Sequence, residues 1–422
     1  MVNFMMKTQN ENRLGYKKTK VGWIPEEWED SRLNEICTMK SGDTITSKLI
    51  HDEGTYRCFG GNGLRGFTET FTHDGNFVLI GRQGALCGNV RFVSGKFHAS
   101  EHAIVATTFE KTNASWLAET LRFKNLNRFS ESSAQPGLSV SKVLRMRVSV
   151  PLFPEQKAIA GVLECWDRGI RNLELKIENK RRTKKGLMQR LLSGKLRFPG
   201  FSDDWKTVKL GEVFCFVKSH AFSRECLTTP EEKNSNIYNI HYGDIHATYD
   251  GCGVDLRKET RVPILKTGIE LPKKTEFLQD GDLVMADASE DYAGVGACIE
   301  LYGIENRKVT GGLHTFVLRD FAKETSNGFC GYMFKEYFFA KELKRISTGV
   351  SVYSISKTNL VKVKLSLPPL EEQQAIAKVL SAADGEIEVL ERKLATWKDQ
   401  KKFLLNNLVT GSIRLPEFRT TN

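Results

Sequence analysis

The sequence predicts an α+β protein: two mixed α/β modules separated by two long antiparallel coiled-coil helices, with an internal pseudo-two-fold repeat. Three observations predict it. Residues 151–201 align without a gap on residues 368–418 at a constant offset of 217, with 21 of 51 positions identical, where chance allows about three at ordinary amino-acid usage. Both stretches space their apolar residues by alternating fours and threes, the signature of a coiled-coil seam. The remaining chain alternates strand-like apolar runs with glycine-rich turns and an occasional helix-like segment.

Composition bounds what such a chain is. Its 422 residues suggest two or three domains at about 150 residues each. A hydrophobic share of 40% can build real cores. No apolar run approaches the roughly 20 residues of a membrane span. The N-terminus through Asn10, Glu11 and Asn12 lacks a signal-peptide core. Nine cysteines stand singly with no Cys-x-x-Cys pair, against both a disulfide framework and a structural zinc site. A soluble protein of the reducing cytoplasm is expected. The formal charge of +11 leans modestly toward polyanionic partners.

The elements then fall in order. The first module, residues 1–150, shows strand-like Phe77–Ile80, Ala103–Ala106 and Val143–Val150, with a helix over Ser115–Phe123. The first helical spacer, 151–200, opens on Pro151 and Pro154 and closes at Gly194, as start and stop signals should. Its seam is Ile159, Leu163, Trp166, Ile170, Leu173 and Ile177, interrupted at Lys180 and Lys184 before Leu187 and Leu191. The second module, 201–367, shows strands at Leu283–Met285, Thr315–Leu318 and Leu360–Leu367 and a single helix over Gly331–Ile346. The second spacer, 368–422, repeats the prolines and carries Ile376, Leu380, Ala383, Ile387, Leu390, Leu394, Trp397, Lys401, Leu404 and Leu408 ahead of Gly411.

Each seam is too narrow to be buried alone, so the two helices are expected to pair antiparallel; packing of each on its own module is the plainer alternative. Lys184 and Lys401 would then be seam cations, either snorkelling to water or marking register. The repeat also reaches into the modules. Trp28 and Leu33 match Trp205 and Leu210, Tyr56 matches Tyr238, Asp74–Ile80 matches Asp280–Ala286, and His102 matches His314. The offset grows from 177 to 217, making the second copy 40 residues longer.

Three catalytic signals are outweighed by plainer readings. Gly61-Asn-Gly63-Leu-Arg-Gly66 has the dinucleotide glycine spacing, but Phe67-Thr-Glu-Thr-Phe71 is no apolar helical face, so a turn-rich loop is expected. His98-Ala-Ser-Glu101-His102 spells an inverted zinc-peptidase motif, which would make the chain a zinc hydrolase using His98 and His102. The surrounding residues look extended, and the second copy has Thr310 where His98 stands. Ser193-Gly194-Lys195 lacks the first glycine and the hydroxyl of a phosphate loop. Leu367-Pro-Pro-Leu370 lacks the asparagine of amino-methyltransferases. No catalytic residue and no resident cofactor or metal is expected in this chain.

Binding residues remain. Asn62, Arg65, Arg82 and Gln83 sit in glycine-rich loops of the first module, and His241, His246, Arg257 and Lys258 in those of the second. Polar loops precede the last strand of each module: Ser132–Gln135, ending on Gln135, and Ser347–Tyr353, ending on Tyr353. Arg reads guanine and Asn or Gln reads adenine by paired hydrogen bonds, while Lys mostly holds phosphate. Any one of these residues is more simply a surface charge; as loops they point to DNA.

The duplicated motifs resemble a known family. Pro151-Leu-Phe-Pro-Glu-Gln-x-x-Ile-Ala160 and Leu367-Pro-Pro-Leu-Glu-Glu-Gln-x-x-Ile-Ala377 are similar to the helix entry of specificity subunits of type I restriction-modification systems, and Leu191-Leu-Ser-Gly-Lys-Leu-Arg197 and Leu408-Val-Thr-Gly-Ser-Ile-Arg414 to its exit. The resemblance spans the chain and implies two target-recognition domains, each reading half of a bipartite, asymmetric target in double-stranded DNA. It implies helices that set the spacer and dock two adenine-N6 methyltransferase subunits, joined by restriction/translocase subunits. S-adenosylmethionine, ATP and Mg are then expected in the partners, with no membrane. A stand-alone two-module DNA binder or decoy without methylase partners is the alternative. Lys180–Lys185 is either a phosphate- or partner-contacting stretch or a solvated basic face.

Overall fold

The computed structural model describes residues 10–84, 86–130, 136–230, 236–249 and 251–419. Gln135 and the loop residues just before it lie outside them. The chain forms two compact units, one from residues 1–175 and 392–422, the other from 176–391. Both combine sheets with helices, so the protein is α+β. No helix is long and apolar enough to cross a membrane.

The first unit holds a six-stranded mixed sheet in the order Cys37–Ser41, Ala103–Thr108, His73–Gly81, Val90–Ala99, Tyr56–Gly60, Gly63–Thr68. The Gly-x-Gly loop is the turn of its last hairpin, with Gly63 at φ +94°. Helix Ala114–Lys124 covers one face and buries Trp116, Leu117 and Leu121. Asn113 caps it by accepting the Trp116 N–H.

The second unit divides the same plan into two sheets. Five strands run Phe214–Val217, Thr315–Asp320, Leu283–Ala286, Cys298–Tyr302, Gly253–Asp255; four run Leu227–Thr228, Ile264–Leu265, Ile237–Ile240, Lys308–Gly311. The counterpart of the single strand Val90–Ala99 is broken here between Tyr302 and Lys308. The ladders pair Cys58 with His98 in one unit and Asn239 with Thr310 in the other. Tyr56 and Tyr238 are therefore one residue out of step, because a strand's side chains alternate faces and the duplicated tyrosine does not fix the register.

Three expected elements come out differently. Val143–Val150 is a helical turn, Val140–Leu144, followed by strand Arg147–Val150. Leu360–Leu367 likewise divides into helix Lys357–Leu360 and strand Lys364–Leu367, with Ser356 Oγ accepting the Asn359 N–H as cap. The helix expected over Gly331–Ile346 breaks into Cys330–Met333 and Tyr337–Ile346, because Glu336 turns its carboxylate back to accept the Phe338 and Phe339 N–H groups.

The two long helices are Phe153–Leu192 and Leu370–Val409. Each starts in one unit and ends in the other. In the first unit Lys401 reaches Asp167 at 2.7 Å, Lys398 reaches Glu174 at 2.7 Å, and Trp166 meets Trp397 edge-on at 5.9 Å. In the second unit Lys184 pairs with Asp384, and Lys180 with Glu386 at 2.8 Å. Residue numbers rise along one helix as they fall along the other, so the pairing is antiparallel in both units. Both seam lysines are ion-paired to the opposite helix.

The helices also pack on the modules. Ile159, Leu163 and Leu408 belong to the core that contains Trp28, Leu117 and Val148. Ile376, Leu380 and Leu191 belong to the core around Leu283, Phe329 and Leu365. Full burial of each such side chain contributes about 1.5–3 kcal/mol, so the ends of the seam are module core as well as helix interface. Ile170, Leu173, Ile177 and Ile387 are buried; Trp166, Leu390, Leu394, Trp397, Lys184 and Lys401 are half-buried.

The duplicated Glu-Gln pair explains the helix entry. Gln156 donates to the Pro151 carbonyl at 2.9 Å and accepts the Asn113 N–H at 2.8 Å. Gln373 does the same with Pro368 at 2.9 Å and Ser326 at 2.9 Å. Glu155, fully buried, accepts from Trp28 Nε1 at 2.8 Å and from both sides of the Arg414 guanidinium. Glu372 accepts from Trp205 Nε1 at 3.1 Å and from Arg197 Nη2 at 2.8 Å. The entry of one long helix is thus locked by the exit of the other, within one unit each time.

Candidate nucleic-acid interface

Three backbone segments knot together at one end of each module sheet. In the first unit the Arg82 N–H donates to the His102 carbonyl at 3.0 Å, and the Arg82 carbonyl accepts the Leu138 N–H at 2.9 Å. In the second, the Asp287 N–H donates to the His314 carbonyl at 3.1 Å, and the Asp287 carbonyl accepts the Ile355 N–H at 2.9 Å. Gln83 bridges to Gly137, and Ala288 pairs with Ser354. The same hydrogen bonds place Arg82 and Asp287 at one structural position, with the duplicated histidine beside each.

In the first module the hairpin turn closes on this knot. A Cβ on Gly61 would meet the His102 and Gln83 carbonyls at 3.1 and 3.2 Å, and one on Gly81 would meet the Gly61 carbonyl at 2.3 Å. Only glycines let the turn approach so closely. The turn therefore lies against the backbone of Gln83 and of His102, whose ring is half exposed, and Arg82 Nη1 donates to Ser41 Oγ at 2.8 Å. Glu101 holds His102 Nε2 at 3.1 Å. Arg65 is exposed and lies along Gly60 of the same hairpin.

In the second module the neighbouring position carries Tyr242 instead of Gly61. Its ring stands edge-on to His314 at 5.4 Å and to His246 at 6.2 Å. Asp287 Oδ1 accepts from His314 Nδ1 at 3.2 Å, and a His246 ring nitrogen reaches the Ala288 carbonyl at 3.2 Å. The run continues through Ser289, paired with Tyr353, to Tyr292, whose ring lies 5.2 Å from Tyr353 with the Lys344 ammonium 5.5 Å from its centre. The exposed Tyr292 ring and the half-buried Tyr242 and Tyr353, interleaved with hydrogen-bonding and cationic groups, suit contact with bases and phosphate.

Other expected contacts are placed differently. His241 is buried, and its Nδ1 caps helix Tyr242–Ala247 by accepting the Gly243 N–H. Burial, and then the Arg224 charge, hold its pKa below the usual histidine value, which keeps that nitrogen an acceptor. Arg257 forks onto Asp255 at 2.8 and 2.9 Å, and Lys258 is exposed beside it in the same loop. Arg257 is thereby engaged within its own loop and not with the histidine cluster.

His98 lies inside strand Val90–Ala99, buried, with neither ring nitrogen hydrogen-bonded. Among the described residues no three His, Cys, Asp or Glu side chains gather where they could hold a metal. Where His98 faces Cys58, the second module has Asn239 donating to Thr310 Oγ1 at 3.0 Å. Tyr242, Asp287, Tyr292 and Lys344 of this cluster are not among the residues singled out from the sequence, where His102 is weighed as a zinc ligand or a duplicated landmark and His314 as its counterpart. That histidine's survival in both copies was the available signal.

Each module carries a polar, aromatic surface at one end of its sheet, of the kind that suits contact with nucleic acid. A family model described as the type I restriction modification DNA specificity domain matches residues 25–180 and 202–396. The chain belongs to that family and is a DNA-recognising specificity subunit of the type I restriction-modification class.

Relatives fit at different scales. The type I restriction enzyme EcoprrI specificity subunit of Escherichia coli is 40% identical over 158 residues, 36% of this chain and 39% of that one. The putative type I restriction enzyme MjaX specificity subunit of Methanocaldococcus jannaschii is 24% identical over 452 aligned positions, covering 95% of this chain and 97% of that protein. The crystal structure of an S subunit from M. genitalium superposes with a TM-score of 0.61 at 17% identity, covering 90% of this chain and 96% of its own, and shares the fold.

Proposed function

We propose that each module reads one half of a split, asymmetric DNA sequence and that the paired long helices set the unread spacer. The same helices dock two adenine-N6 methyltransferase subunits, and restriction/translocase subunits join that core. The chain itself works in the cytoplasm as a non-catalytic reader; S-adenosylmethionine, ATP and Mg belong to its partners.

One observation carries this reading: the same pair of backbone hydrogen bonds occurs twice with different residues on it, Arg82 and Gln83 against Asp287 and Ala288. Two such readers distinguish two different half-sites, so the whole target is not palindromic. Each 40-residue helix is about 60 Å long at 1.5 Å per residue, more than the roughly 34 Å of one DNA turn.

The test is co-expression of the full chain with a type I methyltransferase subunit in an unmethylated host, followed by methylome sequencing. A split, asymmetric methylated motif is expected. A continuous or palindromic motif contradicts the reading. So does specific DNA binding by a chain that never co-purifies with the methyltransferase.

A further inference from the structure

We propose that the backbone knot is the base-reading point of each module, with His102 and His314 as the DNA contacts that recur in both and Arg82 against Asp287 as the pair that makes the modules read different bases. This rests on the functional reading above and names its specificity-determining residues.

Equivalence comes first. Four main-chain hydrogen bonds, two in each unit, put Arg82 and Asp287 between the histidine turn and the segment entering the last helix–strand pair. A position whose backbone is held twice over, while its side chain changes from a guanidinium to a carboxylate, suits a reader whose frame is constant and whose chemistry varies. Arg donates two hydrogen bonds to guanine O6 and N7; Asp accepts from the cytosine amino group.

The histidines are the constant part. Each ring is about half exposed, and each is steered by a carboxylate: Glu101 on Nε2 in the first module, Asp287 on Nδ1 in the second. A carboxylate on one ring nitrogen fixes the orientation of the other, which is left to face a ligand. His314 also sits at φ +52°, in the left-handed region. A non-glycine residue is uncommon there, and His102 does not share that backbone conformation. Its surroundings, Tyr242 and His246 on one side and the Tyr353–Tyr292–Lys344 run on the other, offer stacking and cationic contacts rather than a hydrolytic centre.

The experiment uses the full chain with its methyltransferase subunit, reading both the methylated motif and binding to a duplex carrying it. Arg82→Asp is expected to change one base preference in one half-site, and Asp287→Arg one in the other, each by roughly 10- to 100-fold. His314→Gly, which also relieves the left-handed strain, should weaken binding about tenfold or more without lowering Tm. Arg82→Gln, which keeps a hydrogen-bonding side chain, guards against a misfolded Arg82→Asp protein. Both motifs unchanged, with affinities within about twofold of wild type, overturn the assignment. If the wild-type complex neither methylates nor binds any specific sequence, the functional reading itself falls, a result separable from failure of these variants.

Discussion

Arg414, just past the end of the second long helix, forks onto the buried carboxylate of Glu155 at the start of the first, with Nε at 2.9 Å and Nη2 at 2.8 Å. The two are 259 residues apart. Trp28 Nε1 completes the site at 2.8 Å. A wholly buried carboxylate is tolerable because three donors meet it. Removing Arg414 leaves that charge unmatched, so Arg414→Ala should cost about 3–5 kcal/mol, read by denaturant unfolding. Arg414→Lys should recover only part, because an ammonium cannot make the paired hydrogen bonds. Equal stability of all three proteins would contradict this account of the closure.

The seam ion pairs are set for a charge-exchange test. Lys401 and Asp167, like Lys184 and Asp384, are half-buried across the helix pair. Lys401→Asp places two carboxylates together and should destabilise by about 1 kcal/mol, discounted for partial exposure. Adding Asp167→Lys should restore most of the loss. A double variant no better than the single one would show that the lysines do not mark register.

Gly169 lies under the ring of Trp397, where an added Cβ would stand 3.1 Å from the ring. Mid-helix Gly→Ala is ordinarily stabilising by about 1 kcal/mol. Here Gly169→Ala should yield no gain, and Gly169→Leu should lose roughly 1–3 kcal/mol by overpacking. At Gly161, where nothing lies within 4 Å, the ordinary gain should return. Thermal melts of the three variants decide it.

Burial pushes the Glu300 carboxyl up to about 7, against the pull of the Gly328 and Gly331 N–H groups it accepts at 2.6 and 2.7 Å. An unfolded glutamate titrates near 4.5. The folded state therefore holds the proton more tightly. This group's contribution is full below pH about 4.5 and is lost as pH rises through about 7. The stability of the wild type relative to Glu300→Gln should fall by roughly 2–3 kcal/mol between pH 5 and pH 8. Parallel pH profiles would contradict it.

The long helices were legible because duplication repeated their period, their proline entries and their glycine exits, the latter at φ +69° for Gly194 and +71° for Gly411. The crosswise closure was not legible, although Glu155/Glu372 and Arg197/Arg414 are all duplicated. A single sequence shows that two residues recur, not which copy of one meets which copy of the other. The breaks at Leu144 and Glu336 were missed because a one-turn helix and a mid-segment cap barely disturb an apolar pattern. Part of the candidate interface was visible as polar glycine-rich loops. The correspondence of Asp287 with Arg82 was not legible, because it lies in backbone hydrogen bonds that the differing side chains do not reveal.

The most direct test is to replace residues 28–150 by the corresponding module of another family member, keeping both long helices, and to map methylation in the host. One half of the split motif should change while the other half and the spacer length stay as they were. A change in both halves, or in neither, would contradict it.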